Sequence, residues 1–146
     1  MESELLNVKL IDSFCKEYQS VWLIDTQKQL MNSFYINKNK NISNTVDLAV
    51  VMKTYEESRI WYIDNYVVPY QRSRVTLQTT WERVLDETAK GETYYVEYGK
   101  LENGVLSYNQ LCYDRIENDE GRLEYIVLGF RNIDVRRKTE IDDAQG

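Results

Sequence analysis

The sequence contains no histidine, and this absence excludes several kinds of site. Ser-His-Asp and Cys-His catalysis use an imidazole as the base, and many zinc and haem proteins use it as a ligand. No nucleophile in the sequence stands beside another identifiable base. We therefore predict no catalytic residue and no metal site, and we do not expect an enzyme.

Cysteine and long apolar runs are also scarce. Cys15 and Cys112 are the two cysteines, and they do not form a CxxC motif. Two reduced thiols and an acidic amino terminus without a secretory signal predict a cytoplasmic chain. No apolar run approaches the roughly 20 residues that a membrane-spanning helix needs, so we expect no direct membrane insertion.

Positive charge is in deficit, because 18 Lys and Arg face 24 Asp and Glu and the net charge is −6. Nucleic-acid binding requires a basic surface, so no nucleic-acid partner is predicted. Tyrosine is abundant instead, with 12 copies. A tyrosine buries a large ring and keeps a polar tip, which suits strands, pockets and interfaces.

The first 19 residues have helical periodicity. Leu6, Leu10, Phe14 and Tyr18 recur at every fourth position, with charged residues between them. This pattern predicts an amphipathic helix whose apolar side needs a partner surface. We expect this helix to cap the domain or to form a homodimer through these four residues.

The next part of the chain predicts a hairpin followed by helices. The run SVWLID at 20–25 and the run at 29–36 are typical of two strands, and an Asn-rich loop follows at 37–44. Apolar spacing predicts a helix over 46–66. Pro69, the single proline, must interrupt it, and one further helix is predicted over 70–89, before Gly91.

The last third predicts three strands, at 93–101, 105–116 and 123–133. Asn103-Gly104 and the segment 118–121 supply the two tight turns between them. The strands therefore form an antiparallel meander. The run YIVLGF at 125–130 does not alternate with polar residues, so we expect the last strand to be covered on both faces.

Four motifs in this order resemble a PAS domain. SVWLID resembles the first PAS strand, and Val67-Val68-Pro69-Tyr70-Gln71-Arg72 resembles the start of the long PAS helix, with Val68 in place of the usual His. The two turns lie where PAS hairpins lie. The segment Phe130 to Arg137 resembles the end of the last PAS strand, where the chain passes into a signalling helix.

The resemblance implies an α+β fold, a five-stranded antiparallel sheet with helices over one face, preceded here by the amino-terminal helix. It divides the chain into that helix at 1–19, the PAS-like sensory domain at 20–134 and the start of a signalling helix at 135–146. PAS domains of this kind precede GGDEF diguanylate cyclase or histidine kinase domains in bacteria. The run VRRKTEI at 135–141 is typical of the start of a charged helix close to the end of the sequence, so we expect an excised fragment, with a short native protein as the alternative.

The implied function is a sensory module that binds a small ligand or a partner and relays a conformational signal to a downstream output domain. Asn132, Ile133, Asp134 and Arg136 are expected to carry that signal. One alternative is a ligand-free dimerisation or interaction module. A further alternative is an enzyme or binding protein with a cystatin-like cone, which would not have a hairpin ahead of its central helices.

A ligand pocket is expected between sheet and helices. Strand alternation and aromatic content select its candidate residues, which are Trp22, Ile24, Tyr62, Trp81, Tyr94, Val96, Tyr98, Tyr108, Gln110 and Cys112. A covalently bound flavin is disfavoured because the required Asn-Cys-Arg-Phe-Leu-Gln motif is absent, and haem is disfavoured by the lack of histidine. An unidentified small organic ligand remains a candidate, and so does a core in which these side chains pack on one another.

Overall fold

Residues 17–36 and 54–134 of the chain are described by a computed structural model. They form strands β1 (Ser20–Asp25) and β2 (Met31–Ile36), then helices α1 (Tyr55–Tyr66), α2 (Arg72–Gln78) and α3 (Trp81–Thr88), then strands β3 (Tyr94–Glu102), β4 (Val105–Glu117) and β5 (Leu123–Asn132). A 3₁₀ turn at Pro69–Gln71 separates α1 from α2. Residues 1–16 of the predicted amino-terminal helix, the predicted loop at 37–44, the first part of the predicted helix over 46–66 and the segment 135–146 lie outside the described residues. Residues 17–19, which were predicted to end the amino-terminal helix, are described and are not helical.

The strands form one antiparallel sheet in the order β2-β1-β5-β4-β3. The last strand therefore lies at the centre, between the first strand and the longest one. Its register with β1 pairs Trp22 with Leu128, and its register with β4 pairs Tyr113 with the same residue. Because β1 precedes the helices and pairs with the last strand, the two ends of the described domain meet in the middle of the sheet.

The three helices cover one face of the sheet. Thr54 caps α1 by accepting from the Glu57 amide, and Thr80 caps α3 by accepting from the Arg83 amide. Arg115 on β4 donates to the Leu85 carbonyl at 3.2 Å, which joins the last turn of α3 to the sheet. The core is built from apolar and aromatic side chains of the three helices and the four strands β1, β3, β4 and β5, together with Met31 of β2.

Three predicted features of the fold are confirmed. The sheet has five antiparallel strands, helices lie over one face, and the three strands of the meander end within about two residues of their predicted limits. The turn between β3 and β4 has positive φ at Asn103 and Gly104, as a two-residue hairpin requires. The hairpin of β1 and β2 precedes the helices, which rules out the cystatin-like cone.

One prediction about the helices is wrong. The segment 70–89 was expected to be a single helix, but it divides into the 3₁₀ turn, α2 and α3. The division falls at Thr79 and Thr80. The Thr79 hydroxyl donates back to the Val75 carbonyl at 2.7 Å, and the Thr80 hydroxyl accepts from α3. Threonines that bond the backbone locally end one helix and begin another.

Candidate functional site

Most of the predicted pocket residues lie together on the helix-facing side of the sheet. Trp22 and Ile24 of β1, Val96 and Tyr98 of β3, and Tyr62 of α1 belong to the buried core. Trp81 and Tyr94 are half-buried and pack against that core. The structure thus brings together seven of the ten residues that the sequence selected, namely Trp22, Ile24, Tyr62, Trp81, Tyr94, Val96 and Tyr98.

The expectation for β4 is corrected, because Tyr108, Gln110 and Cys112 lie on the opposite face of the sheet. Val96 of the core pairs directly with Leu111, and paired residues of antiparallel strands share a face. The helix-facing residues of β4 are therefore Asn109, Leu111 and Tyr113. Counting across the two-residue turn at Asn103-Gly104 would have given this register, since such a turn fixes which residues pair.

Two pairs of tyrosine hydroxyls meet inside the core. The Tyr55 hydroxyl donates to the Thr79 carbonyl at 2.5 Å and accepts from the Tyr113 hydroxyl at 2.8 Å. The hydroxyls of Tyr62 and Tyr98 lie 2.5 Å apart. Burial raises the pKa of each of these four tyrosines above its usual value, so all four stay protonated near neutral pH.

The space left between these side chains is small. A cavity of about 20 Å³ lies among Met31, Tyr55, Tyr62, Leu128 and Phe130, with further lining from Ser58 and Thr79. Such a volume holds roughly one water molecule. The helix-facing site is thus closed by its own tyrosines, and a larger molecule would have to displace side chains.

A polar cluster occupies the opposite face. Arg131 of β5 donates from Nε at 3.1 Å and from Nη2 to the Oε1 atom of Gln110. The Nε2 atom of Gln110 donates to Glu97 at 3.3 Å, and the side chain of Gln110 is buried. The guanidinium also lies 5.7 Å from the ring centre of Tyr18 and 5.9 Å from that of Tyr95. Sequence analysis missed Arg131, whose signal is a charged residue within the apolar last strand.

The residues expected to relay a signal lie at the end of β5. The Oδ1 atom of Asp134 accepts from the Tyr108 amide at 2.5 Å, and the Ile133 amide donates to the Tyr108 carbonyl at 2.9 Å. The Asn132 side chain donates to Asp134 at 3.2 Å. These bonds hold the end of β5 against β4. Arg136 lies outside the described residues.

Of the four residues predicted at a dimer interface, Leu6, Leu10 and Phe14 lie outside the described residues. Tyr18 packs against Gly129 of its own chain, where a Cβ atom in place of the glycine hydrogen would lie 2.7 Å from Tyr18 Cε1.

Among residues 17–36 and 54–134, no group of three acidic or cysteine side chains is arranged to hold a metal ion. No helix in these two ranges is long and apolar enough to cross a bilayer.

No protein-family model and no curated protein matches the chain. Solved structures do match. The amino-terminal domain of a diguanylate cyclase with PAS/PAC sensor from Marinobacter aquaeolei has a TM-score of 0.52 at 15% identity, covering 81% of this chain and 97% of that one. The PAS domain of Bordetella pertussis BvgS has a TM-score of 0.51 at 14% identity, covering 94% and 98%.

An RNA-binding light-oxygen-voltage receptor is similar over 98% of this chain but only 37% of its own, with a TM-score of 0.54 and 14% identity. At identities this low, the similarity establishes the fold and nothing finer. The predicted PAS-like architecture is confirmed.

Proposed function

We propose that this chain, which has the PAS fold, is a non-catalytic regulatory module that relays a conformational signal to an output domain. The observation that carries the proposal is the clamp between Asp134 and the Tyr108 amide, at 2.5 Å. It fixes the end of the central strand, where the described part of the chain passes toward 135–146. A change of packing anywhere along β5 would act on this point.

The output domain that we propose is a diguanylate cyclase or a histidine kinase. The support is the description of the similar Marinobacter structure as part of a diguanylate cyclase. We place the module in the cytoplasm, in keeping with the free, buried thiol of Cys112.

The stimulus that the geometry favours is a protein contact at the surface. The cavity of about 20 Å³ is too small for an organic molecule of cofactor size, and both tyrosine pairs already satisfy their hydroxyls within the core. Binding pockets for such molecules usually measure about 300–1,000 Å³. A partner could instead shift the sheet without opening the core.

A small ligand is the second candidate. Met31 borders the cavity beside Phe130, and a methionine side chain adapts readily to a new neighbour. The aromatic residues Trp22, Tyr62, Tyr94 and Tyr98 would then line an opened site on the helix-facing side. Binding would require an outward shift of at least one tyrosine pair.

The protonation states support a role without catalysis. Burial raises the pKa of the Cys112 thiol to about 11, so the reactive thiolate is scarce at neutral pH. The buried tyrosines are likewise held as neutral hydrogen-bonded pairs. None of these groups is prepared to act as a nucleophile or as a general base.

Native mass spectrometry of the 146-residue chain tests the nature of the stimulus. We expect a chain that carries no stoichiometric organic molecule. Release of such a molecule on denaturation would contradict the surface stimulus and favour the ligand.

The same spectrum reports the oligomeric state, for which we propose a homodimer. Charged substitutions at both Leu10 and Phe14 should then give a folded monomer, and a surviving dimer would exclude these residues from the interface.

The relay is tested by joining the whole chain to a diguanylate cyclase domain and measuring cyclic dinucleotide production. Asp134→Ala removes the acceptor for the Tyr108 amide, and we expect a changed basal output. Asp134→Asn keeps an amide oxygen in the same place and serves as the matched control, with output near that of the unmodified fusion. Identical output from all three fusions would count against the relay.

A further inference from the structure

Residues Glu17, Tyr18 and Gln19 follow the last strand closely, and we refer to them as the strap. The Gln19 amide donates to the Phe130 carbonyl at 2.7 Å, which extends the pairing of β1 with β5 by one residue. The Tyr18 ring lies on Gly129, and Glu17 accepts from Arg131 Nη1 at 3.4 Å. Three successive strap residues therefore contact three successive residues of β5.

The Tyr18 ring can lie directly on β5 because residue 129 is a glycine, and we call this place on β5 the seat of the ring. A Cβ atom at Gly129 would lie 2.7 and 2.8 Å from two ring carbons of Tyr18, distances that real contacts do not reach. Cys112 pairs with Gly129 across β4 and β5, so its side chain lies on the same face beside that seat. Cys112 is 4% exposed. Closure of the strap thus goes together with burial of Cys112.

Arg131 joins the strap to the end of β5. Its guanidinium contacts the strap through Glu17 and the Tyr18 ring, and it contacts β4 through Gln110. Gln110 is two residues from Tyr108, whose backbone bonds both Ile133 and Asp134. Arg131 itself lies on β5, two residues before Ile133. A charged group bonded on both sides of a strand resists any motion that separates its partners.

We propose that the strap Glu17–Gln19 can separate from β5, and that the bonds of Arg131 couple this separation to the position of the end of β5. We call Arg131 the latch. The two packings are a closed strap, with Cys112 buried and the Tyr108–Asp134 clamp formed, and an open strap, with both released. The role of strap opening in signalling rests on the relay proposed above. The contacts that hold the strap lie within this chain and do not depend on the relay. The proposal assigns Gln110 and Cys112 to the surroundings of the strap and Tyr108 to the clamp at the end of β5.

The test is the rate at which a thiol reagent labels Cys112 in the whole chain under native conditions. A Cys15→Ser background leaves Cys112 as the single thiol. Gly129→Ala forces Tyr18 from its seat, and Arg131→Ala removes the latch. We expect each to raise the labelling rate by about tenfold or more, the ratio that corresponds to about 1.4 kcal/mol. Tyr70→Phe removes a hydroxyl from a tyrosine that is 77% exposed and lies outside the strap, and it should stay within about twofold of the parent.

Amide hydrogen exchange provides the readout of coupling. In Gly129→Ala and Arg131→Ala, exchange at the amides of Tyr108 and Ile133 should accelerate along with thiol labelling. Faster labelling with unchanged exchange at both amides would show a strap that opens alone, and this result would overturn the latch. Unchanged labelling in both variants would overturn the strap as well.

A core variant separates strap opening from global unfolding. Ile24→Val removes a methylene from the helix-facing core, where Ile24 is fully buried, and does not touch the strap. It should lower the unfolding midpoint in urea and leave Cys112 labelling within about twofold of the parent. Equal acceleration in Ile24→Val and Gly129→Ala would mean that labelling requires global unfolding, and it would refute the proposal.

Discussion

The two faces of the sheet differ in what closes them. On the helix-facing side, neutral tyrosine hydroxyls bond one another and aromatic rings fill the volume. On the other side, a guanidinium, an amide and two carboxylates form the contacts, and the cover is a segment of three residues. Strand β4 contributes alternate residues to both faces, with Tyr113 on the first and Gln110 on the second.

This difference indicates a division of roles. A core of interlocked rings is costly to open, because displaced side chains leave a cavity and unbonded hydroxyls. The ion pair of Arg131 with Glu17 is partly exposed, and a pair of this kind can exchange its partner for water at a small cost. The helix-facing side therefore determines stability, and the opposite side is the better place for a conformational switch.

The largest loss of stability is expected for a substitution on the helix-facing side of the sheet. Phe130→Ala removes a buried ring whose centre lies 5.2 Å from that of Tyr62, and it should lower the free energy of unfolding by about 3–5 kcal/mol. Urea denaturation measures the change. Leu77→Ala on the exposed side of α2 is the control, expected within about 0.5 kcal/mol of the parent. Similar losses in both would contradict the importance of this core.

The two faces should also differ in alkaline titration. Burial raises the pKa of Cys112 from 9.0 to about 11, so the folded state holds this proton to higher pH than the unfolded chain does. The stability that the thiol contributes is fully present below pH 9 and is lost as pH rises through about 11. Across that window we expect a loss approaching about 1.4 kcal/mol per pH unit.

Urea denaturation at several pH values, with Cys112→Ser as the reference and Cys15→Ser in both chains, isolates this titration. Tyr18 and Tyr98 interact electrostatically with Cys112, but burial raises the pKa of both tyrosines well above the range in which the thiol titrates. The difference between the two chains is therefore read below about pH 11, where both tyrosines remain neutral. A difference in stability that stays constant from about pH 8 to about pH 11 would show that the thiol is not shielded in the folded state.

A smaller effect should follow from one hydroxyl of the core. Tyr62→Phe leaves the Tyr98 hydroxyl buried without its partner at 2.5 Å and should cost about 1–3 kcal/mol. The double variant with Tyr98→Phe removes both polar groups. It should be less destabilised than the sum of the two single variants, as a double-mutant cycle measures. Strict additivity would mean that the two hydroxyls do not stabilise each other.

The smallest effect is expected at the turn between β3 and β4, which belongs to neither face. Gly104 has a φ of 78°, and a Cβ atom there would meet nothing within 4 Å. Gly104→Ala should therefore cost about 1–2 kcal/mol through backbone conformation alone. The loss should be independent of pH, unlike that of Cys112, and thermal unfolding at two pH values checks this.

Local patterns predicted much of this architecture. The apolar run at 125–130 indicated a strand covered on both faces, and the structure places Leu128 in the core and Gly129 beneath Tyr18. The candidate site was predicted only in part. The alternation of side chains along β4 places Gln110 and Leu111 on opposite faces, but it does not tell which face packs against the helices. That requires the register with β3.

The sequence by itself determined the strands, the tight turn at Asn103-Gly104 and the interruption at Pro69, because each depends on residues that are neighbours in the chain. Tertiary structure decided which side of β4 faces the core, how the tyrosines pair and where the strap lies. Glu17 and Arg131 are 114 positions apart, and no local propensity encodes such a contact. It arises because β1 and β5 pair at the centre of the sheet, which brings the residue before one strand beside the end of the other.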